Sequence, residues 1–312
     1  ERAVKSISWG VYGAYIKASG TLWSIALVFG LLILSQGANI TTSLWLSWWT
    51  SDKWGYSTAQ YIGVYAGLGV IQALLVFSFS MSVTLLGTKA SRVMLNAAIT
   101  RTLRAPMSFF DTTPLGRITN RFSRDVDTMD NTLTDNIRMY LLTIGMITSI
   151  FILIIAYFPY FAIALVPLLT AFLFAANYYR SSAREVKRFE AVYRSNVFAK
   201  FSEGLSGTAS IRAYGLRNMF IHQIREAIDE MNSAYYMTFS NQRWFSIRVD
   251  LIGVLVVFVT GTLVVTSRFN VNPSIAGLVL SYVLVLVQML QFTVRQLAEM
   301  ENGMNSTERL HY

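Results

Sequence analysis

Few side chains in this protein could do covalent chemistry. It has two histidines, His222 and His311, and no cysteine, so neither a disulfide nor a thiolate-held metal is open to it. Neither histidine has acid or base companions close by in the sequence, and both read as surface residues of polar helices. No catalytic residue and no metal site are therefore expected. No Gly-Lys pair occurs either, which removes the G-x-x-x-x-G-K-[ST] phosphate loop. The residues that remain suit recognition. Trp244 and Arg248 stand four apart on one helix face, an aromatic wall beside a cation. Gln288, Gln291, Phe292 and Arg295 add amide donors and acceptors, a second ring and a second cation.

What must position these groups is a bilayer. Hydrophobic residues make up 54% of the 312 and charged ones 14%, about half the charged share of an ordinary soluble domain. Apolar stretches lie at about 22–46, 61–86, 139–158, 160–179, 249–266 and 275–294. Each approaches the ~20 residues that ~30 Å of hydrocarbon demands, so each predicts one helical span. Only Phe158-Pro159-Tyr160 parts the third from the fourth, which reads as a tight turn at a membrane face. Residues 1–20 are too polar for a signal peptide. Trp9, Tyr12 and Ile16 on one side predict an amphipathic elbow helix lying in the inner interface. A chain that opens on Glu and stops after NSTERLHY is expected to be part of something longer.

Six spans put both termini on one side. That side collects twenty-four of the 26 Lys and Arg residues, leaving Lys53 and Arg268 on the other. By the positive-inside rule the crowded side is cytoplasmic, and the opposite face carries Trp45, Trp48, Trp49, Trp54, Tyr56 and Tyr61 as an aromatic belt. The net charge of +9 is then inner-leaflet charge, and a nucleic-acid partner is not expected. On this topology Arg248 lies at the inner edge of the fifth span, with Trp244 a turn nearer the cytoplasm. Gln288 and Gln291 fall in the inner half of the sixth span, and Arg295 at its edge. Two readings stay open. The arginines snorkel and the glutamines bond neighbouring helices. Or together they line an inward-open cavity for amphipathic or anionic cargo. Gln36, Asn39 and Gln72 are weaker candidates of the same kind.

Connections on the outer side are short, whereas the inner ones, about 87–138 and 180–248, are each dozens of residues long. Structureless loops of that length are uncommon, and apolar residues at i, i+3, i+4 and i+7 predict that spans two to five continue as helices far beyond the lipid. Pro106 ends the first descending helix, and Thr113-Pro114 offers a cap and a first-turn proline for the rising one. At the tip between them stand Phe109 and Phe110, which either seal the turn or serve as a knob for another domain's pocket. In the second excursion a short segment, VFAKFSEGLSG, is expected to end in Gly204 and Gly207, with Val197, Phe198, Phe201 and Leu205 on one face. A second helix is expected to rise through TASIRAYGLRNMF.

The stretch SFFDTTPLGRITNRFSRDVDTMDNTL resembles, almost position for position, the first intracellular loop in the second membrane domain of subfamily C ATP-binding cassette (ABC) exporters, with a fungal, oligomycin-resistance-like flavour. The match rests on Phe109, Phe110, Asp111, Pro114, Gly116, Arg117, Ile118, Asn120, Arg121, Phe122, Ser123, Asp125 and Asp130. SEGLSGTASIRAYG is similar to the family's second loop and ENGMNSTERL to its exit toward a nucleotide-binding domain. GLSGTAS itself lacks the context of the ABC signature. The resemblance implies an all-α, six-span exporter membrane domain over residues 1–312, with elbow 1–20, core 21–307 and the start of a link at 308–312. It implies coupling helices at the two tips, carrying Phe109, Phe110, Asp111 and Arg117 at the first and Phe198, Phe201, Glu203 and Arg212 at the second. It implies two nucleotide-binding domains and a first membrane domain as partners, with ATP and Mg held by the former and no cofactor in this segment. Trp and Arg of QRWFSIRVD resemble the region the family uses for conjugates. A plasma or vacuolar membrane would house such a protein. Regulatory relatives like the sulfonylurea receptors and the anion channel of cystic fibrosis share this architecture, and nothing in the spans separates them from an exporter.

The topology has a direct test, since the native chain contributes no cysteine. Cysteines placed singly at Asp52 and Asn270 should react with an impermeant maleimide applied outside intact cells, and those at Phe109 and Phe198 only after permeabilisation. Labelling of position 109 from outside would overturn it.

Overall fold

The computed structural model describes residues 9–267 and 271–311, apart from the side chains of Arg117 and His311. The beginning of the elbow, Arg268, Asn270 and the Arg117 side chain therefore lie outside the described residues. The elements are all helical: α1 (Trp9–Ser19), α2 (Leu22–Thr50), α3 (Thr58–Leu103), α4 (Met107–Thr112), α5 (Leu115–Asn120), α6 (Thr134–Tyr157), α7 (Phe161–Ser206), α8 (Thr208–Ala213), α9 (Arg217–Thr266) and α10 (Pro273–His311). Among the described residues six helical runs are long and apolar enough to cross a membrane, namely α2, α3, Ile118–Tyr157, α7, α9 and α10. They coincide with the six apolar stretches, and the chain is an integral, multi-pass membrane protein. The 46 residues of α3 extend about 70 Å, more than twice the hydrocarbon thickness, as the uninterrupted sequence 60–105 predicts.

The chain divides into two compact units, Glu1–Ala162 with Val257–Tyr312, and Ile163–Val256. In the first unit α1 packs on α3 and α10. It turns Val11, Tyr15 and Ser19 inward and leaves Trp9 and Ile16 exposed, the two-faced helix expected of the elbow. Burial pushes the Tyr15 phenol above its ordinary range, partly opposed by the Thr134 hydroxyl beside it. Tyr15 joins Ala90, Met94, Ala98, Val126, Met129, Leu133, Met304 and Leu310 in one apolar cluster.

The helix rising from the first tip differs from the uniform α-helix expected. Arg121–Asp125 and Thr128–Leu133 are π-helical. The cluster explains the departure. Asp125, Met129 and Leu133 are all buried and lie four apart. An α-helix advances each such step by about 40° past a full turn, whereas wider π turns bring the three back toward one line.

Between the C-terminal half of α2 and the N-terminal end of α10 runs a polar seam. The Ser43 and Tyr282 hydroxyls lie 2.6 Å apart, Tyr282 donates to Asn39 Oδ1 at 3.0 Å, and Ser274 meets Ser47 at 2.9 Å and Thr50 at 2.6 Å. Asn39 thus serves as interhelical glue. The α2–α3 turn is closed by aromatic residues around buried Tyr61. Its hydroxyl donates to Asp52 Oδ1, its carbonyl accepts from Trp45 Nε1, and Trp49 stacks on its ring. Asp52 takes a left-handed φ of 44°, which a short polar side chain tolerates, and Lys53 Nζ sits 4.7 Å from the Trp48 ring centre.

Close approach of α3 to the foot of α6 depends on Gly87. A Cβ there would stand 2.4 Å from Thr134 Oγ1 and 2.6 Å from its Cγ2. Gly87→Ala should therefore cost about 1–3 kcal/mol, the usual penalty of overpacking, read as a lower thermal midpoint in detergent. Adding Thr134→Ala should recover most of the loss. Gly13→Ala, with nothing within 4 Å of its Cβ, should raise the midpoint slightly, since it removes the cost of about 1 kcal/mol that a helical glycine carries.

Candidate functional site

At the first tip, Pro106 precedes α4 and its carbonyl accepts from the Phe109 N–H at 2.9 Å. Phe109 and Phe110 meet edge-on, their centroids 5.3 Å apart. They do different things. Phe109 is half-buried and turns into a recess of about 230 Å³ shared with Arg101, Ile118, Arg121, Phe122 and Arg309. Phe110 and Asp111 face outward. Phe109 thus seals the turn, and Phe110 is left exposed.

At the second tip the structure corrects the expected segmentation. VFAKFSEGLSG is no separate segment: α7 continues without a break to Ser206, carrying Phe198, Phe201 and Leu205 exposed along its last turns. Gly204 is absorbed into the helix, at the cost of about 1 kcal/mol that a helical glycine carries. The short tip helix is α8, begun by Gly207 at its N-cap. Gly215 follows it with φ 70°, so α9 starts only at Arg217 and no single helix spans TASIRAYGLRNMF. Glu203 lies at the end of α7 and Arg212 in α8, both exposed. The two tips belong to different compact units.

Within the second unit, α7 and α9 are tied by paired aromatic dyads. Tyr178 lies 5.1 Å from Trp244, and Tyr179 stacks on Phe245 at 4.6 Å. Arg248 places its guanidinium carbon 3.8 Å from the centre of the Trp244 ring, while Nη1 donates to the Trp244 carbonyl at 3.1 Å. The side chain reaches back one turn, so snorkelling and an aromatic–cation surface are here the same geometry. Tyr178 and Arg248 are exposed and Trp244 half-buried. Nearer the second tip, buried Glu190 receives Lys187 at 3.0 Å and Arg194, with the Thr238 hydroxyl of α9 at 3.5 Å.

In the first unit, Gln288, Phe292 and Arg295 share a face of α10 at i, i+4 and i+7, with Gln291 beside them. The Arg295 guanidinium carbon lies 5.9 Å from the Phe292 ring centre. Gln288 and Arg295 are exposed, Gln291 and Phe292 half-buried. Each unit thus has its own cation–aromatic pair. Sequence reasoning missed Tyr178. Its signal was the doubled aromatic Tyr178-Tyr179, which answers Trp244-Phe245 at the corresponding end of the other long helix. Among the described residues no group of His, Asp and Glu could hold a metal ion.

Comparison with known proteins agrees with the family resemblance. The model of the ABC transporter transmembrane region matches residues 25–290. The ABC-type transporter cicA of Emericella nidulans is 61% identical over the whole of this chain and 22% of its own length. Multidrug resistance protein fer6 of Mycosarcoma maydis is 38% identical over 100% of the chain and 23% of its own length. Oligomycin resistance ATP-dependent permease YOR1 of Saccharomyces cerevisiae is 38% identical over 99% of the chain and 21% of its own length. The chain spans little more than a fifth of the curated relatives it matches, and those transporters carry further domains outside the matched part.

Proposed function

This chain belongs to the family of ABC transporter transmembrane regions, and from that premise we propose that it is the cargo-handling part of an ATP-driven exporter. It takes amphipathic or anionic molecules from the cytoplasmic side of a plasma or vacuolar membrane and moves them outward. The work is done by hydrolysis in two nucleotide-binding domains that hold ATP and Mg, in concert with a first membrane domain. The observation that carries this reading is the Tyr178–Trp244–Arg248 stack. It offers rings to an apolar body and a cation to an acidic end, at the edge of a span where a charge is tolerated only if it reaches polar surroundings. Gln288, Gln291, Phe292 and Arg295 offer the same chemistry from α10. Phe110, Phe198 and Phe201, exposed at tips that carry the family's coupling motifs, are the anchors for the nucleotide-binding domains.

Coupling and cargo are separable in experiment. In the full-length protein, Phe110→Ala or Phe201→Ala should abolish cargo stimulation of ATP hydrolysis, since truncating an interface anchor typically costs on the order of 2 kcal/mol or more. Cargo binding should stay nearly intact. Unchanged stimulation in both variants would return these rings to a structural role.

For cargo, dansylglycine and its uncharged amide differ only in the acidic end. Arg248→Gln should weaken stimulation by dansylglycine selectively, by about tenfold for the loss of roughly 1.4 kcal/mol of charge recognition. Trp244→Ala should weaken both. Equal loss for the two dyes in Arg248→Gln would make that residue structural.

A further inference from the structure

Asp125 is 5% exposed, and a carboxylate so far from water has to be paired. Its partner comes from the far end of the chain. Arg309 Nη2 lies 3.0 Å from Asp125 Oδ1 and also donates to Ser306 Oγ at 3.3 Å. The neighbours on each side of the pair are apolar and buried together: Val126, Met129 and Leu133 from the π-helical run, Met304 and Leu310 from α10. Arg309 and Leu310 also line the recess that receives Phe109 from the first tip. The last turn of α10 is thereby fastened to the root of the first hairpin, between the tip helix and the foot of α6. α10 remains helical through His311, so this grip holds the last described turn of the helix.

We propose that Asp125 and Arg309 form a positioning pair that locks the exit helix to the first coupling hairpin, so that a displacement of the tip reaches α6 and α10 as one motion. This rests on the exporter reading above. The pair makes no contact with cargo or nucleotide. It acts by keeping two routes out of the membrane bundle, the hairpin and the link, from moving independently. Its chemistry suits the task. The carboxylate is the buried member and the cation, 56% exposed at its side chain, the wet one. Loss of the carboxylate therefore frees α10 while leaving the apolar cluster to hold the fold, whereas loss of the cation frees α10 and also strands the buried carboxylate.

The test uses the full-length transporter in lipid vesicles, measuring ATP hydrolysis and ATP-driven uptake of dansylglycine. Asp125→Asn and Arg309→Gln should each lower uptake per ATP hydrolysed by about fivefold or more, within the usual range of a coupling factor, while hydrolysis itself changes little. The double variant should be no worse than either single one, because both remove one interaction. Arg309→Lys, which keeps the cation and most of its reach, should retain much of the ratio. A ratio unchanged in both single variants, or uptake and hydrolysis falling together with the yield of folded protein in Asp125→Asn, would overturn the proposal. Wild-type protein that hydrolyses ATP without any ATP-driven uptake would overturn the exporter reading, and the proposal with it.

Discussion

Hydrocarbon cannot solvate a peptide group, and nearly every feature of this chain follows from that. A spanning segment must satisfy its own N–H and C=O groups, which among single segments only a helix does. Proline is correspondingly rare, five in 312 residues, and four of them stand at or beside helix ends. The fifth, Pro167, sits inside α7, within the fourth apolar stretch. The same demand decides where side-chain polarity is tolerated. Asn39, Ser43, Ser47 and Thr50 of α2 meet Tyr282 and Ser274 of α10, so hydroxyls and an amide that lipid would reject find one another instead.

Beyond the spans the problem reverses, because long helices standing in water must be held by something other than lipid. The structure uses buried carboxylates served by longer, wetter cations. Glu190 does so on α7 and Asp125 on the first hairpin. The arrangement follows from side-chain length: Lys and Arg keep their charged heads hydrated while their stems cover apolar surface, and Asp and Glu cannot. Removing the cation strands a charge out of water, while removing the carboxylate merely releases a cation to solvent. The two kinds of change are far from equivalent.

Much of this was legible in the residues. Hydropathy gave six spans, Pro106 and Thr113-Pro114 marked the first tip, and Trp9, Tyr12 and Ile16 marked the elbow. Those signals are local, since each depends on a chain's preference over one or a few turns. The second tip was misread because Gly204 and Gly207 look alike in sequence, and only neighbouring structure decides which one ends a helix. Arg309 and the π-helical run were invisible for a different reason: each is defined by a partner far away in the chain, and a single sequence does not show its partners. The residues proposed for coupling and cargo come from the family resemblance, and at Trp244 and Arg248 the structure shows an aromatic–cation contact.

The π-helical run has a consequence for how the membrane domain can vary. A helix carries an angular phase from one end to the other, and each residue inserted or deleted shifts everything beyond it by about 100°. The wide turns at Arg121–Asp125 and Thr128–Leu133 set the phase between the tip below and the lipid-depth residues Thr143, Ile147 and Ile150 above, all of which are buried. Drift toward a plain α-helix, without compensation, would therefore turn the upper helix about its own axis while leaving the tip in place. This stretch works as a fixed-length gear between two faces, and its residue count is as much a part of its identity as its residue types.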